Sequence, residues 1–74
     1  MPEIGDVETF HQDGAWRNRV EGSGTTALSF PSRAEAAEVG RAEAEETHTT
    51  HVVRDENGRE VARTSFRAPA MEGD

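Results

Sequence analysis

Ser32-Arg33-Ala34-Glu35-Ala36-Ala37-Glu38-Val39-Gly40-Arg41-Ala42-Glu43-Ala44-Glu45-Glu46 is the stretch whose reading decides the fold. Pro31 precedes it, and the Ser32 hydroxyl is placed to cap the free N–H groups of a first helical turn. Glu35, three residues on, completes a Ser-x-x-Glu capping box. The interior is rich in Ala, Glu and Arg, which lose little side-chain entropy in a helix. At about 100° per residue, Ala36, Ala37, Gly40 and Ala44 fall on one side, so that face is almost bare backbone. Such a helix can lie unusually close to what it covers. Gly40 costs roughly 1 kcal/mol of helix stability relative to Ala, and close contact with a bulky sheet residue, Trp16, is the expected compensation. These are packing features, not signs of an active site.

Upstream of the helix, Asp6–Gln12 and Ala15–Glu21 read as two strands joined by Asp13-Gly14, a type I′ turn signal. A two-residue turn sets Gln12 opposite Ala15, His11 opposite Trp16, Phe10 opposite Arg17, Thr9 opposite Asn18, Glu8 opposite Arg19 and Val7 opposite Val20. The face carrying Val7, Val20, His11 and Trp16 is expected to meet the helix. The other face carries a Glu8–Arg19 charge pair and a Phe10–Arg17 cation–π pair. Gly22-Ser23-Gly24 reads as a flexible link. Ala27-Leu28-Ser29-Phe30 reads as a third strand or an extended lead into the helix, with Leu28 and Phe30 buried on one face. Phe30 is also placed to pack on Ala36 as a hydrophobic staple.

Downstream, the helix is expected to fray around Glu46-Thr47. Thr49–Asp55 and Arg59–Phe66 then read as a second hairpin about Asn57-Gly58. A two-residue turn sets Arg54 opposite Val61, Val53 opposite Ala62 and Val52 opposite Arg63. Val53, Ala62 and Phe66 fall on one face, Val52 and Val61 on the other. Apolar residues on both faces call for cover on both: the helix on one, a second subunit on the other. The expected fold is a small α+β domain, an antiparallel sheet of two β-hairpins with one helix across it, in β-β-(β)-α-β-β order. The domain is expected over residues 6–67, with a flexible lead-in over 1–5 and a disordered acidic tail over 68–74.

Asp13-Gly14-Ala15-Trp16, the Glu21-Gly22 link, Arg33-Ala34-Glu35-Ala36, and His51-Val52-Val53-Arg54-Asp55 with Asn57-Gly58-Arg59 together resemble a small bacterial domain, domain of unknown function 2188. Its members read as Gly-Trp, a Thr-x-x-Glu-Ala helix start, a hairpin through Asp-Gly-Arg and a closing Ser-Tyr-Gly. The resemblance runs from about Val7 to Phe66. This chain departs from it with Ser32 for Thr, Glu56-Asn57-Gly58 at the turn, and Ser65-Phe66-Arg67 at the close. Phe66 lacks a hydroxyl, so no polar role carries over to that position. The resemblance implies a fold and a bacterial origin, and it brings no activity.

Composition limits the function classes. Only 32% of the 74 residues are hydrophobic, and domains below about 70–80 residues seldom gain enough from one core without a staple or a partner. With no cysteine, disulfides and thiolate metal sites are excluded, which leaves oligomerisation, and a homodimer is expected. No stretch approaches the ~20 apolar residues of a membrane span, and no signal peptide is evident. The expected location is therefore the cytoplasm, away from membranes. A net charge of −7 opposes non-specific attraction to nucleic acid or anionic lipid. All eight basic residues are Arg, and Arg17, Arg19, Arg54, Arg59, Arg63 and Arg67 lie in or beside the hairpins.

Catalytic chemistry has little footing. His48-x-x-His51 spans a loop and a strand start, so these histidines read as surface or packing residues, and no metal or cofactor is expected. Glu35, Glu38, Glu43, Glu45 and Glu46 form a solvated helix face. Ser23, Ser29 and Ser65 lack a base partner. Gly22-Ser23-Gly24 lacks the Lys of a phosphate loop. The expectation is a non-catalytic homodimeric interaction module with an unidentified protein partner, its contact or interface residues drawn from Phe10, Arg17, Arg19, Val52, Arg54, Val61 and Arg63. The alternative is a weak nucleic-acid binder that uses the Arg-lined sheet face.

Overall fold

Asp13 and Gly14 both take positive φ, 55° and 78°, as the type I′ turn requires. The turn joins β1 (Val7–Gln12) to β2 (Ala15–Val20), and the pairing is the expected one from Gln12–Ala15 to Val7–Val20. The computed structural model describes residues 3–67; the tail expected over 68–74 lies outside the described residues. Of the lead-in, residues 3–5 form a turn tied to the first hairpin, with Gly5 N–H donating to Glu21 O (2.9 Å).

Gly22-Ser23-Gly24 is a tight turn and not a loose link. Ser23 N–H donates to Val20 O (2.9 Å), Gly22 sits at φ 93°, and β3 (Gly24–Phe30) begins at once. β3 pairs antiparallel with β2, Phe30 opposite Trp16 and Ser29 opposite Arg17, with a bulge before Thr25 reaches Arg19. Leu28, expected to be buried, is 63% exposed. The cause is position: the strand order is β3-β2-β1-β4-β5, so β3 is an edge strand.

The helix α1 (Arg33–Thr47) starts where the capping residue predicts, with Ser32 Oγ accepting from Glu35 N–H (3.2 Å). Its far end stops sharply and does not fray. His48 takes the left-handed conformation (φ 60°, ψ 45°), and Thr49 N–H donates to Ala44 O (2.9 Å). Glycine usually fills that position, but histidine tolerates it better than most residues. Ala36, Gly40 and Ala44 are the buried face.

The expected all-antiparallel sheet is corrected at its centre. β4 (Thr50–Arg54) runs parallel to β1, with Val7 beside His51, Glu8 beside Val52 and Thr9 beside Val53. β1, β2 and β3 alternate in direction, and α1 carries the chain back over the sheet, so the next strand starts in the direction of β1. The fold is α+β in the order β-β-β-α-β-β, with a five-stranded mixed sheet.

β5 (Glu60–Ser65) returns from β4 through a turn with three residues, 56–58, between the hydrogen-bonded Asp55 and Arg59, not a two-residue turn. Asp55 N–H donates to Arg59 O (2.9 Å), Gly58 N–H to Asp55 O (3.0 Å), and Gly58 sits at φ 85°. Asp55 Oδ1 accepts from the backbone N–H of Asn57 (2.8 Å) and of Arg59 (2.9 Å), which holds the longer loop. Arg54 consequently pairs with Glu60 and not with Val61. A bulge then restores the expected Val53–Ala62 and Val52–Arg63 pairs.

The contact under Gly40 also differs from expectation. A Cβ on Gly40 would lie 2.7 Å from Asn18 Oδ1, 2.9 Å from His51 Nε2 and 2.9 Å from Thr9 Oγ1. Thr9 Oγ1 donates to Asn18 Oδ1 (2.6 Å) and lies 2.8 Å from His51 Nε2; Asn18 Nδ2 donates to Ala36 O (3.0 Å). The helix thus sits on a buried polar cluster, because Thr9–Asn18 is a central pair of the hairpin. Trp16 lies nearer the Asp13-Gly14 turn, its ring 4.8 Å from that of His11, with the Arg33 guanidinium 5.8 Å away.

Candidate partner-binding face

Strand alternation places Glu8 and Phe10 of β1, Arg17 and Arg19 of β2, Val52 and Arg54 of β4, and Arg63 of β5 on the sheet face opposite α1. Among the described residues no second helix or sheet covers this face. The parallel β1–β4 seam sets Glu8 between two arginines. Arg19 Nε donates to Glu8 Oε1 (3.1 Å), joined by Arg19 Nη2, and Arg54 Nη2 donates to Oε2 (2.9 Å). The Glu8 side chain is only 3% exposed. Burial pushes its carboxyl up, but the hydrogen bonds and charges of Arg54 and Arg19 outweigh this and hold it below the ordinary value.

A second buried carboxylate follows the same logic. Asp6 accepts from Glu3 N–H (2.9 Å), Thr50 N–H (3.2 Å) and Arg67 Nη2. Burial raises its pKa, and these three partners together bring it below the ordinary value. Arg67 also lies 3.4 Å from Glu3 Oε1. At the β5 side, Arg63 grips Glu60 with two bonds of 2.8 Å, and Arg54 Nη1 donates to Gly58 O (3.3 Å).

The expected contact residues are therefore divided. Phe10, Arg17, Arg19, Arg54 and Arg63 share the open face. Val52 lies beneath it, 0% exposed, covered within this chain and unable to touch a partner. Val61 is 51% exposed but lies at the β5 bulge, no longer opposite Arg54. The Glu8–Arg19 pair is present as expected. The cation–π partner of Phe10 is Arg19 (4.7 Å), not Arg17, because the bond to Glu8 draws the Arg19 guanidinium along β1 onto the neighbouring ring. Arg17 is left over. Its Nε is buried without a hydrogen-bond acceptor, and the residue makes no ion pair among the described residues.

Sequence reasoning missed Asp6 and missed that Glu8 is buried. The Glu8–Arg19 pairing was available from the first turn, but the second arginine comes only with the parallel seam. The two histidines read as a spaced pair are separated by environment: His48 caps the helix at the surface, and His51 is buried beneath Gly40. Burial, with the charge of Arg41 added, holds the His51 pKa below its ordinary value. The chemistry this face offers is a set of guanidinium groups, that of Arg19 stacked on the Phe10 ring, beside carboxylates already engaged. No helix among the described residues is long and apolar enough to cross a membrane.

A family model described as "Uncharacterized protein conserved in bacteria (DUF2188)" matches residues 6–66. No curated protein and no solved structure matches the chain.

Proposed function

Because the chain belongs to this bacterial family, DUF2188, whose description gives no activity, we propose its role from the geometry: a non-catalytic, homodimeric accessory module acting through protein–protein contacts. The observation that carries the reading is the uncovered sheet face, which Arg17, Arg19, Arg54 and Arg63 share with Phe10. Arginine and aromatic side chains are the types enriched where proteins meet. Among the described residues the carboxylates of this face, Asp6, Glu8 and Glu60, are each held by arginine.

The size of the core supports the homodimer. Val7, Trp16 and Val52 are the buried apolar side chains larger than Ala among the described residues, so a second subunit would add substantially to the buried area. The contact would lie at β5, which α1 does not reach. All six of its residues are exposed. Light scattering over a concentration series from micromolar down tests this. A dimer mass that Val61→Glu lowers to the monomer is expected; a monomer mass for the parent chain at every concentration removes the homodimer. A weak nucleic-acid binder is the second reading, favoured by the unpartnered Arg17 and the Arg19–Phe10 stack.

A further inference from the structure

We infer that the open sheet face takes an acidic segment of a partner protein, with Arg17 as its anchor; the inference rests on the interaction reading above and names the partner's chemistry. The arginines on and beside this face are matched to carboxylates with one exception. Arg19 and Arg54 hold Glu8, Arg63 holds Glu60, and Arg67 holds Asp6 and Glu3. Arg17 is the exception: its Nε is buried and has no acceptor among the described residues. The Nε is enclosed, but Arg17 as a whole is only part-buried, so the accessible part of its un-neutralised guanidinium is what an incoming carboxylate would meet.

Charge distribution gives the same direction. On and beside this face five arginines (Arg17, Arg19, Arg54, Arg63 and Arg67) meet four acids (Glu3, Asp6, Glu8 and Glu60), an excess of one positive charge, although the whole chain carries −7. The acidic excess lies on α1, where Glu35, Glu38, Glu43, Glu45 and Glu46 are all exposed. An acidic segment is therefore drawn to the sheet and turned away from the helix. The planar guanidinium suits a carboxylate, as the paired bonds of Arg63 to Glu60 show within this chain. Phe10, half-buried and opposite Arg17 in the ladder, offers apolar contact beside the anchor.

Nucleic acid fits less well. Its affinity grows with the number of phosphates neutralised, and four of the five arginines are already engaged by acids of this chain. A single anchor is enough for one carboxylate in a peptide and too few for a phosphate backbone.

Fluorescence anisotropy with two labelled probes tests the inference: an acidic peptide of alternating Glu and Phe, and a single-stranded oligonucleotide. The peptide is expected to bind the parent chain, to weaken with salt, and to weaken about tenfold on Arg17→Gln. Arg17→Lys, which keeps the charge and loses the fork, is expected to fall between. Arg33→Gln, at the start of the helix, is expected to leave binding unchanged, and circular dichroism checks that each variant folds. An equal loss in Arg33→Gln, or tighter binding of the oligonucleotide than of the peptide, overturns the acidic-segment inference. Binding of neither probe also overturns it, while the homodimer is still judged separately by its mass.

Discussion

Gly40 is where helix and sheet come closest, and a single methyl group measures how closely. Replacing it with Ala raises helix propensity by about 1 kcal/mol. The added Cβ would press on Asn18, His51 and Thr9 at 2.7–2.9 Å, and these atoms bond to one another and to Ala36 O. None withdraws without leaving a buried polar group unmatched. Gly40→Ala is therefore expected to lose about 1–3 kcal/mol overall, read from the midpoint of urea unfolding at constant m. A gain in stability would mean that the cluster yields freely. The need for close contact was legible in the bare face Ala36-Gly40-Ala44. The partner was not. Thr9 and Asn18 followed from the register, but two polar residues facing each other carry no signal of being buried, and His51 joins them from a different part of the chain.

At the scale of elements, the helix is defined by its ends. Ser32 Oγ closes the first turn through Glu35 N–H, and Ser32→Ala is expected to cost about 1 kcal/mol. In a thermal melt this lowers Tm by about 4–8 °C, while Ser32→Asp restores it; an unchanged Tm for Ser32→Ala would show that packing alone sets the helix start. The hairpins show how far local signals reach. Asp13-Gly14 was sufficient to give every pair of β1 with β2, because both residues take the positive φ that a two-residue turn needs. Asn57-Gly58 was misleading by one residue. The Asp55 carboxylate captures two backbone N–H groups beyond it, and this side-chain preference outweighs the dipeptide signal. The β5 bulge then takes up the extra residue, so most of the ladder matched expectation for a reason the sequence pattern does not contain.

At the scale of the whole molecule, buried titratable groups give stability a defined pH profile. His51 has a depressed pKa in the folded chain, so below its ordinary value of 6.5 the unfolded chain binds a proton that the folded chain does not. Stability therefore falls as pH drops from about 6.5. Glu8 and Asp6 are also depressed when folded. Their contribution is complete above the ordinary values of 4.5 and 3.8 and is lost as pH falls through them toward the folded values. Urea unfolding between neutral pH and pH about 3 is expected to show both stages. His51→Gln is expected to remove the first and leave the second. Stability that rises from pH 7 to pH 5 would show that the folded chain stabilises a charged His51. The open face and most of its arginines were legible from alternation alone. That Glu8 lies in its centre as a shared acid was not, because the β1–β4 seam joins segments that no local pattern relates.

That seam has a kinetic consequence. The two hairpin turns close over a few residues each, whereas Val7 and His51 come side by side only after β2, β3 and α1 have been threaded between them. Closing so long a loop loses chain entropy before any contact repays it. Thr9 and Asn18 wait on one side of the seam and His51 on the other, so their cluster assembles only when the seam shuts. The strand pair that completes the sheet is thus also the step expected to set the pace of folding.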